Sequence, residues 1–215
     1  MSVTTIPTAG IADDAVDNTK LDLTANYAFT GTVTGASDIV LIKTITVSSS
    51  VASVEFKNGV DGVVLDSTYT NYKVVGSNFD TTVAGDELVG QISNDTGSSY
   101  KTSGYRGTSN QTYNNGSASG TAVHNWTNGI QLARNMDTSA TETGYFEWTI
   151  NKPSTSSLQP LLSIGTNRDN NTTAYATLYI SGGFYNDTNI VVDAVRVISS
   201  SGNIDGGVFK LYGYK

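Results

Sequence analysis

The sequence contains no cysteine, which removes disulfides and thiolate metal sites from consideration. It also counts against a small secreted domain stapled by disulfides and suits assembly in a reducing cytoplasm. Charge is sparse: 14% of residues are charged, against roughly 25% in an ordinary soluble domain. No apolar run approaches the roughly 20 residues needed to span a bilayer. Neither a basic n-region nor an apolar h-region follows Met1-Ser2-Val3, so no signal peptide is expected. The net charge of −7 and a pI near 4.5 leave nothing to attract a phosphate backbone or an anionic membrane surface, so nucleic acid and membrane are not expected partners.

Catalytic signatures are equally scarce. A single histidine, His124 in AVHNW, cannot build a multi-histidine metal site. No Gly-x-Ser-x-Gly elbow marks a nucleophile for it to activate. Walker A and dinucleotide fingerprints are missing. Asp86, Glu87, Glu142 and Glu147 are carboxylates of the type glycoside hydrolysis uses. Glu147 lies between Phe146 and Trp148 in YFEWTI, so on a strand it faces away from both aromatics, toward solvent. Asp86-Glu87 follows Gly85 and reads as a turn entering a strand. The acidic loop 168–173, RDNNTT, lacks EF-hand ligand spacing and reads as a turn held by Asn and Asp side chains. No enzyme activity, cofactor or metal is expected.

What the chain does have is glycine (22 residues), tyrosine (12 residues) and abundant Ser, Thr and Asn. That mixture favours short strands joined by polar turns. Strand-like runs occupy 39–47, 51–59, 71–79, 87–93, 129–134, 144–150, 158–166, 174–182, 190–199 and 207–215. In YATLYI, Tyr175, Thr177 and Tyr179 fall on one face and Ala176, Leu178 and Ile180 on the other. The polar, glycine-rich stretch 94–128 reads as one or two edge strands with long loops. No long 3.6-residue period and no tandem repeat occurs in the body. The expected fold is all-β, a jelly-roll-like β-sandwich over 39–215. It is preceded by an arm, 1–38, that is extended and holds at most one short helix near 12–20.

The arm is the unusual part. Ile11, Ala15 and Val16 share a helical face, and Leu21, Leu23, Tyr27, Phe29 and Val33 then alternate at strand period. A helix this short does not stand alone in water. Ile11, Val16, Leu21, Leu23, Tyr27 and Phe29 are therefore the expected attachment and oligomerisation residues. A second candidate surface is aromatic: Tyr100, Tyr105, Tyr113 and Trp126 could stack on sugar rings while neighbouring amides bond hydroxyls.

AGIADDAVDNTKLDL (9–23) is similar to the ADDAV…TKL pattern of tail-fibre and capsid-associated proteins of marine tailed bacteriophages. ANYAFTGTVTGA (25–36) resembles the short β piece that follows it there, and GGVFKLYGYK (206–215) resembles their closing strand. The two ends cover about a fifth of the chain. The resemblance implies a non-enzymatic virion structural protein, either a capsid decoration or head fibre or a short tail fibre. It implies a homotrimer docked to capsid or tail proteins by its N-terminal arm, assembled in the bacterial host's cytoplasm. The alternative it leaves open is a receptor-recognition module for a host surface glycan. It carries no catalytic residue with it.

Overall fold

Period-two alternation of apolar and polar residues runs through almost every strand segment, and it dictates two sheets packed face to face. The computed structural model describes residues 38–126, 128–138, 144–151, 153–155, 158–168, 170, 176–188 and 190–215, with residues 118–125 described as backbone only. The expected arm and its short helix lie outside the described residues. Among the described residues there is no helix, and so none long and apolar enough to cross a membrane.

Twelve strands are described: β1 (Ile39–Val47), β2 (Ser53–Lys57), β3 (Asn71–Thr81), β4 (Asp86–Ser93), β5 (Tyr105–Tyr113), β6 (Ala118–Trp126), β7 (Ile130–Met136), β8 (Gly144–Asn151), β9 (Gln159–Arg168), β10 (Ala176–Tyr185), β11 (Ala194–Ser199) and β12 (Ile204–Tyr214). The larger sheet runs β1-β12-β3-β8-β9-β10-β5-β6 and the smaller β2-β11-β4-β7. All pairings are antiparallel. With the hairpins β5–β6 and β9–β10 set aside, the remaining eight strands, counted in chain order, stand as 1-8-3-6 and 2-7-4-5. That order is a jelly roll, two Greek keys folded over one another. The two hairpins join through the β10–β5 pairing and extend one sheet past β8.

The core lies between the sheets. Phe79, Phe146 and Phe209 meet there with ring centroids 5.3 to 6.2 Å apart, and Tyr72, Leu88, Ile92, Leu132, Trp148 and Val197 are fully enclosed. Close packing needs small residues opposite large ones. A Cβ on Gly90 would come within 2.8 Å of the Trp148 ring, so glycine in β4 is what admits that indole. Phe146 and Trp148 point inward and Glu147 outward, as the alternation requires.

Asp86 pins the two Greek keys at one end. Its carboxylate is 2% exposed and accepts from the hydroxyls of Ser199 and Ser200 and from the backbone N–H groups of Glu87 (2.7 Å), Ser201 (3.1 Å) and Gly202 (3.2 Å). Burial pushes this carboxyl up, but the converging donors outweigh it and hold it below the ordinary carboxylate range. The turn expected at Asp86-Glu87 is thus a strand start that ties β4 to the β11–β12 connection.

Candidate functional site

The extension strands β9 and β10 carry their alternation the unexpected way round. Gln159, Ser163, Asn167, Thr177, Tyr179 and Ser181 are buried, while Leu162, Ile164, Leu178 and Ile180 are 41% to 49% exposed. The cause is β7. It ends the smaller sheet, pairing with β4 on one side only, so its other edge has backbone groups without a ladder partner. The inner faces of β9 and β10 supply those partners. Ser181 donates its hydroxyl to the Gln131 carbonyl at 2.7 Å and Asn167 donates its amide to the Arg134 carbonyl at 3.1 Å. Tyr179 donates to the Gln131 side chain, and burial pushes its phenol up to about 12. At Gly165 an added Cβ would stand 2.9 Å from the Leu132 carbonyl oxygen, which measures how closely β7 crosses beneath β9. Asn167, Tyr179 and Ser181 are therefore needed inside, and the aliphatic side chains are left outside.

The outer face of the larger sheet is therefore a continuous surface. Register places Tyr212, Lys73, Thr149, Leu162 and Gly182 in one row across β12, β3, β8, β9 and β10. Val75, Glu147, Ile164, Ile180 and Asn110 form the next, and Ser77, Tyr145, Thr166, Leu178 and Thr112 the third. Ile164 and Ile180 are direct cross-strand partners at the centre. Beside them the charges cancel: Lys73 Nζ lies 2.6 Å from Glu147 Oε2, and the Tyr145 hydroxyl donates to Glu147 Oε1 at 2.5 Å. Lys73 also sits 5.4 Å from the centre of the Tyr214 ring. Hydrogen bonds from Lys73 and Tyr145 hold the Glu147 carboxyl below its ordinary value against its partial burial. Burial acts to lower Lys73, but the Glu147 partner raises it overall. Burial and the hydrogen bond to Glu147 push the Tyr145 phenol up to about 12.

At the Tyr145 end an open cleft of about 390 Å³ is lined by Ser77, Asn78, Tyr145, Thr166, Arg168 and Ala176 among others. Asn78 is turned outward by a register break between Ser77 and Phe79 and takes φ +53°, a left-handed conformation that asparagine tolerates better than most residues. Residues with amide, hydroxyl, guanidinium and phenol groups thus line a shallow hollow, where Thr166 donates its hydroxyl to the Thr177 carbonyl at 2.7 Å and Arg168 pairs with Asp137 at 3.5 Å, a lining chemically compatible with a hydroxyl-rich ligand.

The aromatic surface expected from the sequence does not assemble. Tyr105 is fully buried: its hydroxyl accepts from the Ile92 amide at 2.9 Å and donates to the Lys101 carbonyl at 3.0 Å, and its ring meets Tyr185 edge-on. Trp126 is also buried, close over Gly107. Tyr100 is half-buried with the Arg196 guanidinium 4.2 Å from its ring centre, and burial followed by the Glu55 charge raises its phenol. Tyr113 is half-buried at the end of β5. Two of the four thus pack the β5–β6 hairpin onto the core and offer no ring face. The attachment residues Ile11, Val16, Leu21, Leu23, Tyr27 and Phe29 lie outside the described residues, as does Glu142. His124 is described as backbone, opposite Gly107.

Asp169 of the 168–173 loop also lies outside the described residues, and Glu87 is engaged. Glu87 accepts from Gln131 at 2.7 Å and pairs with Arg134 at 3.1 Å. Among the described residues no group of three His, Cys, Asp or Glu could hold a metal ion. The aliphatic patch was missed because apolar residues are read as core. Its signal was present: two neighbouring strands without charge between Gln159 and Asn167 and between Ala176 and Tyr185, each with Ser, Thr or Asn on the other face.

The fold and this face define a class, a jelly-roll sandwich with a hairpin-extended sheet and a neutral, partly apolar outer surface. Comparison with protein-family models, curated proteins and solved structures finds no match to the chain.

Proposed function

We propose that the chain is a non-enzymatic structural protein of a tailed-bacteriophage particle, a surface decoration or fibre protein with a jelly-roll body and an N-terminal segment that docks to capsid or tail. The observation that carries this reading is the combination of that body with the phage-like segment 9–23 ahead of it, in which Ile11, Val16, Leu21 and Leu23 stand among charged residues. Jelly rolls recur in capsid and lectin domains, and a segment with Ile11, Val16, Leu21 and Leu23 gains from partner chains what it cannot bury within itself. Three copies are the expected assembly, built in the host cytoplasm, where a cysteine-free chain loses nothing to reducing conditions.

Quantitative mass spectrometry of purified particles tests the reading. A copy number on the scale of the capsid lattice selects decoration, and one matching the tail symmetry selects a fibre. Absence from particles refutes both. Deletion of residues 1–35 should leave a folded body that no longer joins particles.

The cleft beside Tyr145 favours a second reading, recognition of a host surface glycan. Tyr145 offers an exposed ring, and Asn78, Thr166 and Arg168 offer polar groups around it. On a glycan array, binding by the intact chain that Tyr145→Ala abolishes supports it. Binding unchanged by that substitution places the glycan elsewhere.

A further inference from the structure

We propose that the outer face of β8, β9 and β10, centred on the Ile164–Ile180 pair, is the surface through which copies of this chain pack against one another. The proposal deepens the assembly reading above. It rests on the chain meeting itself and not on the particle it joins.

The area is the first argument. Leu162, Ile164, Leu178 and Ile180, with Tyr145 at 39% exposure, leave roughly 400–500 Å² of contiguous surface in water, the size of the largest patch on a typical monomer, which is often a functional one. A standard interface takes about 800 Å² from each partner, so the patch supplies over half of one as an apolar centre. Thr112, Thr149, Thr166 and Asn110 surround it as a polar rim, which is the anatomy of an interface centre.

Charge selects the occupant. The chain carries −7, so two copies repel over most approaches. Lys73 and Glu147, beside the patch, neutralise each other at 2.6 Å, and Arg168, in the row beyond Leu178, pairs with Asp137 at 3.5 Å. Here one acidic chain can meet another without opposing like charges, whereas a basic partner would gain more from the acidic surface elsewhere. The contact is face to face rather than edge to edge, because β9 and β10 are interior strands with ladder partners on both sides. Two such faces pack about 10 Å apart through side chains alone.

Light scattering on the full chain at micromolar concentration, with Ile180→Asp beside it, is the test. The intact chain should give a multiple of 22.6 kDa and the variant a smaller mass, with matching circular dichroism. A second probe uses the absence of cysteine: Ile180→Cys should cross-link to itself with a short bismaleimide, and Val191→Cys, exposed but off the face, should not. This probe decides the matter if Ile180→Asp fails to fold. A single-chain mass for the intact protein, an unchanged multiple for a folded Ile180→Asp, or equal cross-linking at both cysteines overturns the proposal. An intact monomer captured by particles lacking it, through the same face, overturns it in favour of a different virion protein. The reading of the chain as a virion protein survives every one of these failures, because it is tested on particles.

Discussion

Replacing Asp86 by alanine removes the one carboxylate that five donors share, of which the Glu87 and Gly202 amides keep a second acceptor in Ser200 and Ser199. Hydrogen bonds to a charged acceptor are each worth about 1.5–3 kcal/mol. Ser201 is exposed and Gly202 half-buried, so their amides recover much of that from water. The Ser199 hydroxyl, buried at the end of β11, and the Glu87 amide, left with only a 3.4 Å contact to the Ser200 hydroxyl, recover little. A loss of about 3–5 kcal/mol follows, or a fall in Tm of roughly 6–20 °C for a body of this size. The pH dependence gives a second reading of the same residue. Its folded pKa lies below the unfolded one, so its contribution is fully present above the ordinary carboxylate value of about 3.9 and is lost as pH falls through the depressed folded value. The gap between wild type and Asp86→Ala should therefore be widest near neutrality and close in acid. Calorimetry at neutral pH and in steps below pH 5 measures both. A variant melting within about 2 °C of wild type at neutrality, or a gap that does not narrow in acid, refutes the account.

Asp80 makes the opposite case: burial first, and then the Asp205 charge, raise its carboxyl above the ordinary value. Ionised Asp80 thus weakens the fold at neutral pH, and Asp80→Asn should raise Tm there, with the gain fading as pH falls through the raised folded value; a lower Tm at neutrality contradicts this. Gly90→Ala places a methyl group within 2.9 Å of three Trp148 ring atoms and should cost about 1–3 kcal/mol in urea unfolding, with a shift in indole emission; an unchanged midpoint would show that the indole moves freely. Tyr105→Phe leaves the buried Ile92 amide without its partner and should cost about 1–3 kcal/mol, a loss that glycan-binding assays would not register.

Alternation was enough to read the two-sheet sandwich, because apolar-polar periodicity is a local property and strands such as β3 and β8 obey it throughout. The sequence also assigned Leu178 and Ile180 to one face and Thr177 and Tyr179 to the other. What it could not tell was which face is inside. That depends on β7, some forty residues earlier, whose unpaired edge demands polar partners. Tyr105 and Trp126 failed as surface candidates for a related reason. Their polar, glycine-rich surroundings look like loops, yet the β5 pairing with β10 carries them onto the core. The beginning of β11 shows a third limit: 190–193 reads as strand, but ladder pairing starts at Ala194. Val192 instead donates its amide to the Pro153 carbonyl.

The strand order also governs how the protein can be made. β11 stands between β2 and β4, and β12 between β1 and β3, so the two strands synthesised last of the twelve described occupy interior places in both sheets. Until they arrive, β1 and β2 have no neighbour in their own sheets, and the core residues Val197, Phe209 and Leu211 are missing. Long-range pairing of this kind is slow to form. A chain broken off before residue 190 can close neither sheet. The topology therefore works as proofreading: only chains synthesised through β12 can close the sandwich.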